Sequence, residues 1–264
     1  MEQGVVKSLH EQTDALRVLI AEDTPGNQAV LTTLLRYRGY IAEAVSNGRE
    51  ALAALETQSF DIVLMDIQMS GMDGVEATAA IRAKEKATRV HLPIIAVTAH
   101  AMPGDRERCL EAGMDGYITK PVRFSDIEQT LAGLAGTPGT PGTPVEPAQA
   151  ASWNKVEALD RIGGDEELLR EVCEIFLEES PKLLKKLQQA VAAGDADGVV
   201  RAAHSLKGES SYLSAGGTSR AARQLEEMGH NKDLSHARDT LAVLEREVAG
   251  LHLDLKALEG THHE

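Results

Sequence analysis

Apolar and polar residues follow two different periodicities along this 264-residue chain, one in each half. In the first half, short apolar runs alternate with longer segments whose apolar residues recur every three or four positions. The runs lie at residues 18–21, 41–45, 62–65, 94–97 and 117–118. Runs that are apolar on both faces are typical of parallel strands buried beneath helices. The first half is therefore predicted to be an α/β domain, doubly wound around a five-stranded parallel sheet.

The second half has helical periodicity and no candidate strand. Its apolar stripes are Leu168, Leu169, Val172, Ile175 and Phe176; Leu183, Leu184, Leu187 and Val191; Val199, Val200, Ala203 and Leu206; and Leu241, Leu244 and Val248. Pro181 is expected to break or bend the chain between the first two stripes. Glycines at positions 194, 216–217 and 229 are expected to separate the helices. These features predict an all-α, antiparallel four-helix bundle.

A segment rich in glycine, threonine and proline joins the two halves. Residues 136–147 contain three Gly-Thr-Pro repeats, a composition that neither a helix nor a central strand accommodates. We therefore divide the chain into an N-terminal extension (1–15), the α/β domain (16–133), a linker (134–152), the helical domain (153–258) and a disordered tail (259–264).

Charge and cysteine content limit the possible functions. The net charge is -14 and the basic residues form no cluster, so we expect no nucleic-acid binding. Cys109 and Cys173 fit no metal-ligand spacing and are expected to be reduced thiols. The sequence has no apolar run of about 18 residues and no signal-peptide core. These features predict a cytoplasmic protein without membrane contact, and we expect a monomer.

Polar side chains follow four of the predicted strands, at Glu22 and Asp23, Asp66, Thr98 and Lys120. Ligands of doubly wound sheets bind at the carboxyl ends of the strands. A lone aspartate there is usually a cap or turn residue, but the full set is much harder to explain in that way. Three carboxylates at one edge would repel each other without a cation, and oxygen ligands suit Mg²⁺ or Mn²⁺. Asp66 could then act as a nucleophile and form an aspartyl phosphate, with Lys120 and Thr98 contacting the phosphoryl oxygens.

The order of these residues resembles a response-regulator receiver domain over 16–133. The resemblance implies four metal ligands, namely the side chains of Glu22, Asp23 and Asp66 and the backbone carbonyl of Gln68. It also implies the remaining roles: phosphoacceptor for Asp66, switch residues for Thr98 and Tyr117, and phosphate pairing for Lys120. The Lys120–Pro121 bond is expected to be cis, as in the family.

The loop after Asp66 departs from the family pattern. Ser70 and Gly71 stand where receivers of this type usually have a proline after the methionine. This loosens the loop and leaves the phosphate lifetime open, as do Gln68 and His100, which occupy positions that tune hydrolysis in the family.

One histidine of the second half has chemically suitable neighbours. A lone histidine in a helix is more often structural or simply exposed, but Lys207 and Gly208 follow His204 by three and four residues and share its helix face. An exposed imidazole is partly neutral near pH 7 and can act as a nucleophile. Lys207 would pair incoming phosphoryl oxygens, while Gly208 leaves space for a bulky partner.

The segments 203–208 and 212–215, which read AHSLKG and YLSA, resemble a histidine phosphotransfer (Hpt) domain. The likeness extends over 153–258 and implies a four-helix bundle with His204 as an exposed phosphoacceptor in mid-helix. Glu209 replaces the small residue expected beside the glycine. Its negative charge near a phosphate site is expected to affect transfer rate or partner choice.

Together, the two resemblances predict a phosphorelay protein in which an upstream sensor histidine kinase supplies Asp66. His204 would exchange the group with Asp66 or with a partner receiver. The alternative is a receiver that acts as a phosphorylation-controlled switch on the second domain or its partner docking, without transfer to His204. No ATP-binding motif is apparent, so we expect a phosphotransfer intermediate and not a self-sufficient kinase. The domain order also resembles the C-terminal end of a hybrid histidine kinase, which leaves a fragment and a free-standing protein both open.

Overall fold

The computed structural model describes residues 15–98, 103–134 and 152–260 of the chain. Most of the predicted N-terminal extension and linker, and His100, lie outside these ranges. The last helix continues to Gly260 and so includes residues 259 and 260 of the predicted tail.

The first part of the chain folds into the predicted parallel sheet. Its strands are β1 (Arg17–Ala21), β2 (Ile41–Val45), β3 (Ile62–Asp66), β4 (Ile94–Thr98) and β5 (Gly116–Thr119). All neighbouring strands are parallel, in the order β2-β1-β3-β4-β5. Every residue of β3 and β4 is buried, as expected for central strands with helices on both faces.

Five helices alternate with these strands. They are α1 (Pro25–Tyr37), α2 (Gly48–Thr57), α3 (Gly74–Thr88), α4 (Pro103–Glu111) and α5 (Phe124–Leu134). Helices α1 and α5 cover one face of the sheet, and α2, α3 and α4 cover the other. The start of α3 is set locally, because Asp73 and Glu76 form a capping box that satisfies two backbone N–H groups.

The second part of the chain is helical throughout its described residues. It contains α6 (Lys155–Arg161), α7 (Glu166–Ala193), α8 (Ala196–Tyr212), α9 (Gly216–His230) and α10 (Ala237–Gly260). The four long helices pack against one another in the ring α7–α8–α9–α10. Gly194 ends α7 in the left-handed conformation, with a φ of 68° that glycine adopts without strain. None of the described helices has the length and apolar character needed to cross a membrane.

Of the two outcomes expected at Pro181, a break is wrong, because the 28-residue helix α7 continues through this residue. Pro181 lacks an N–H, so the helix loses one backbone hydrogen bond there. The side chain of Pro181 is exposed, whereas Phe176 and Leu183 on either side are buried in the bundle. Burial of this continuous apolar face keeps the helix intact across the missing bond.

The two parts of the chain pack together through α1, which contacts both α7 and α8. One buried apolar cluster runs from the sheet through α1 into the bundle, and it includes Leu31 and Leu35 of α1 together with Leu168 and Phe176 of α7. The sequence does not predict this packing, since each half has enough apolar residues for a core of its own. It brings the carboxyl edge of the sheet next to the middle of α8.

Candidate functional site

Three carboxylates meet where the strand order reverses between β1 and β3, the usual ligand position in such sheets. Ligand atoms of Glu22, Asp23 and Asp66 all lie within 4.8 Å of one another. Glu22 and Asp66 are buried, whereas Asp23 is half-buried and accepts a hydrogen bond from the Ser70 N–H. The structure therefore brings together the acidic residues that the sequence placed at the ends of separate strands.

Lys120 is the cation of this site. Its Nζ lies 2.6 Å from Glu22 Oε2 and 2.6 Å from Asp66 Oδ2. The backbone N–H of Lys120 donates to the carbonyl of Thr98, and the Lys120–Pro121 peptide bond is cis, as expected. One ammonium faces three carboxylates, so the buried cluster keeps an excess of negative charge.

The remaining predicted residues of the sheet edge lie around this cluster. The backbone N–H of Gln68 donates to Asp66 Oδ1 at 3.0 Å, which fixes the start of the loop after β3. Thr98 ends β4 and is buried, and Tyr117 lies half-buried on β5 in register with Ala96.

Burial and crowding change the acidity of these groups. Burial, together with the charge of Glu22, raises the pKa of Asp66 to about 6 against the opposing effect of Lys120. Burial and the neighbouring Glu22 also raise the pKa of Asp23. Burial alone would raise the pKa of Glu22, but its ion pair with Lys120 outweighs burial and lowers it. Two of the three carboxylates therefore hold protons more tightly than usual, which is characteristic of an anionic cluster that favours a cation.

The histidine site lies on α8 and includes a residue from α9. Nδ1 of His204 lies 2.6 Å from Glu226 Oε1, and Lys207 Nζ lies 2.5 Å from Glu226 Oε2. Burial would raise the pKa of Glu226, but hydrogen bonds from His204 and Lys207 outweigh it and lower the pKa to about 2. Because an ionised carboxylate only accepts hydrogen bonds, Nδ1 carries the proton of the neutral imidazole. The lone pair of the ring then lies on Nε2.

Glu226 was not among the site residues predicted from the sequence. It is 22 residues away from His204, and only the packing of α9 on α8 brings the two together. Glu226 lies one turn after Ala222 and next to the buried Leu225, so it interrupts the apolar stripe of α9. This interruption is the sequence signal that could have identified Glu226 as a site residue.

His204 is less exposed than predicted, with only 14% of its side chain accessible. It lines a cavity of about 890 Å³ between the two parts. Lining residues include Asp23, Gln68 and Ser70 on one side and Lys186, Arg201 and His204 on the other. Thr24 Oγ1 and Ser205 Oγ, from the residues that follow Asp23 and His204, lie 3.1 Å apart. One cavity is thus bordered by Asp23 of the acidic cluster and by His204.

Comparison with known families and proteins agrees with this division of the chain. A family model described as a response regulator receiver domain matches residues 18–132, and one described as an Hpt domain matches residues 171–259. The sensor histidine kinase GacS of Pseudomonas protegens is 34% identical over 206 residues, which is 75% of this chain and 22% of that protein. The histidine-protein kinase BarA of Escherichia coli K12 is 30% identical over 209 residues, again 75% of this chain and 22% of the relative.

This chain thus spans about a fifth of the length of these curated relatives. Among solved structures, the receiver domain of a sensor histidine kinase from Pseudomonas aeruginosa, described with a magnesium ion in its active-site cleft, is 40% identical. The match covers 47% of this chain and 100% of that one, with a TM-score of 0.43. From the two family matches, this chain combines a response-regulator receiver domain with a histidine phosphotransfer domain, the two domain types of a phosphorelay.

Proposed function

We propose that this chain passes a phosphoryl group between Asp66 and His204 within a two-component phosphorelay. The observation that carries the proposal is the shared cavity, which Asp23 and Gln68 of the receiver and His204 of the Hpt domain border. The contact between Thr24 and Ser205 supports it, since these residues adjoin Asp23 and His204 in the chain. A sensor histidine kinase would supply the group upstream, and a partner receiver would exchange it with His204 downstream.

The acidic cluster fits a hard divalent cation, either Mg²⁺ or Mn²⁺. Its donors are all oxygens, and its three carboxylates face a single ammonium. Glu22, Asp23 and Asp66 would hold the ion, and the backbone carbonyl of Gln68 is a further proposed ligand. When bound, the cation supplies positive charge to the oxygens of the transferring phosphoryl group.

In the proposed transfer from Asp66 to His204, Nε2 of His204 forms the new bond to phosphorus. The bond between phosphorus and the Asp66 oxygen breaks, and the carboxylate returns to its ion pair with Lys120. Glu226 accepts the Nδ1 proton in a hydrogen bond and balances the positive charge that develops on the ring. Lys207 acts on this step through Glu226, to which it is paired.

On the receiver side, Lys120 would neutralise one phosphoryl oxygen while Asp66 carries the group. Its ammonium already lies 2.6 Å from Asp66 Oδ2, close to the position of a phosphoryl oxygen. Thr98 would donate a hydrogen bond to a second oxygen, and this contact would couple phosphorylation to Tyr117 on the neighbouring strand.

Labelling with acetyl phosphate tests the proposed function. We expect the wild-type chain to acquire base-labile label on Asp66 and then acid-labile, base-stable label on His204. Asp66→Asn should lose both, and His204→Gln should keep only the aspartyl label. Absence of any base-stable, acid-labile label in the wild type, under conditions that label Asp66, would contradict intramolecular transfer.

The apolar interface around α1 favours a second candidate function, a phosphorylation-controlled switch. Phosphorylation of Asp66 would then change how the receiver packs on α7 and α8, with no transfer to His204. Label retained on Asp66 during long incubation, together with a changed radius of gyration in small-angle scattering, would support this function over the relay.

A further inference from the structure

The start of α1 fits against α8 through a glycine on each side. Gly26 of α1 faces Glu209 of α8, and a Cβ added to Gly26 would lie 1.9 Å from Glu209 Oε1 and 2.9 Å from its Cγ. Distances this short are steric overlaps. The overlapping atoms belong to the end of the Glu209 side chain, so a larger residue at position 26 would require this buried side chain to leave its place against α1.

The neighbouring pair has the opposite arrangement. A Cβ added to Gly208 of α8 would lie 2.9 Å from the Asn27 amide nitrogen of α1. That amide donates to Glu22 Oε1 at 3.0 Å, so Asn27 is held by the acidic site itself. Two adjacent pairs of residues thus pack across the interface near the proposed site of phosphoryl transfer, Gly26 with Glu209 and Asn27 with Gly208. In each pair, a glycine of one domain faces a polar side chain of the other.

Glu209 is an unfavourable residue for this position in terms of stability. Only 3% of it is exposed, and its Oε2 has no hydrogen-bond partner among the described residues. Burial, with added repulsion from Glu179 and Glu22, raises its pKa to about 8. A buried carboxyl group with an unpaired oxygen weakens the docked state. Glu209 therefore does not serve to stabilise the interface. A steric restriction on the residue that faces it is a function that it can have instead.

We infer that Gly26 and Glu209 form a specificity pair: Glu209 restricts this Hpt domain to receivers with a glycine at the position of Gly26, and the chain's own receiver has it. This inference rests on the proposed function and names the class of partner that the Hpt domain accepts. A receiver with a β-branched residue at this position would be excluded, because Glu209 cannot keep its place in the interface.

A double-mutant cycle in the full-length chain tests the pair. The variants are Gly26→Val, Glu209→Ala and both together. We would measure the radius of gyration without phosphate and the rate of label transfer from Asp66 to His204. Gly26→Val should open the domain arrangement and slow transfer about tenfold, while Glu209→Ala alone should do neither. The double variant should recover transfer to within about threefold of Glu209→Ala.

Gly250→Val is the matched control, because Gly250 also lies within a helix and a Cβ added there meets nothing within 4 Å. Thermal unfolding of each variant separates loss of docking from loss of folding. The pair is refuted if Gly26→Val stays compact and transfers like the wild type, or if Glu209→Ala does not rescue it. Absence of transfer in the wild type would instead refute the proposed function, and the compaction measurements would still decide the pair.

Discussion

His204 and Lys207 lie one turn apart on α8, and both donate to the same carboxylate, Glu226 of α9. This carboxylate holds the Nδ1 proton of His204, so in the neutral ring the lone pair lies on Nε2, the atom proposed to bond phosphorus. It also ties the imidazole to a neighbouring helix, which limits the orientations of the ring. Glu226 is therefore a positioning residue for the proposed transfer and does not contact the phosphoryl group.

Glu226→Gln should slow transfer to His204 by about tenfold, the lower end of the range for removing the hydrogen-bond partner of a metal-bound histidine. The amide keeps the shape but loses the charge that balances the developing imidazolium. Transfer rates from pre-phosphorylated chains measure this effect. Glu227→Gln, at a neighbouring exposed position of α9, is the control, since the ion pair of Glu227 is with Arg223 on its own helix. An unchanged rate in Glu226→Gln would contradict the role of Glu226.

Glu209 predicts that docking depends on pH. Burial raises its pKa to about 8, above the value of 4.5 for a free glutamate, so docking takes up a proton between these values. With respect to Glu209, the docked state is therefore most stable below pH 4.5, where the carboxyl group is neutral. This stability is lost as the pH rises through about 8. The charged groups that affect it are Glu179, Lys182 and Lys186 of α7, and Glu22 at the end of β1.

Small-angle scattering between pH 5.5 and 8.5 should show a more compact chain at the lower pH. Glu209→Gln should remove most of the difference, because the amide does not titrate in this range. A pH response of equal size in Glu209→Gln would mean that another titratable group causes the change in compactness.

At the scale of elements, β1, β3 and β4 were predictable because they are buried almost throughout and therefore read as apolar runs. The cluster of Glu22, Asp23 and Asp66 was predictable for a related reason, since parallel strands bring their carboxyl ends to one edge. Helix α7 shows the limit of local patterns. Pro181 normally indicates a boundary, but tertiary burial on both sides overrides that preference.

The continuity of α7 predicts that Pro181→Ala stabilises the Hpt domain. Alanine restores the missing N–H at an exposed position in the middle of a helix. We expect a gain of about 2 kcal/mol in the free energy of unfolding, less than the full helix penalty of proline because proline also restricts the unfolded chain. Urea unfolding followed by circular dichroism measures the gain, with Lys182→Ala as a control at the next position. A less stable Pro181→Ala variant would contradict the account of this helix.

At the scale of the whole molecule, the two domains share one buried apolar cluster and one cavity. Neither could be derived from the sequence, in which the Gly-Thr-Pro segment only permits the domains to meet. Glu226, Thr24 and the pair formed by Gly26 and Glu209 were missed for the same reason, because their roles depend on which helices pack together. The docked arrangement favours transfer within a single chain, because it holds the two sites next to each other.

The most direct test of transfer within a single chain is the dependence of the transfer rate on chain concentration. Chains labelled on Asp66 would be diluted over about a hundredfold range, and the appearance of label on His204 would be followed in time. Transfer within one docked chain has a rate constant that does not change with dilution, because the partner site is always present at the same effective concentration. A rate that falls in proportion to the concentration would show that His204 takes its phosphoryl group from another molecule.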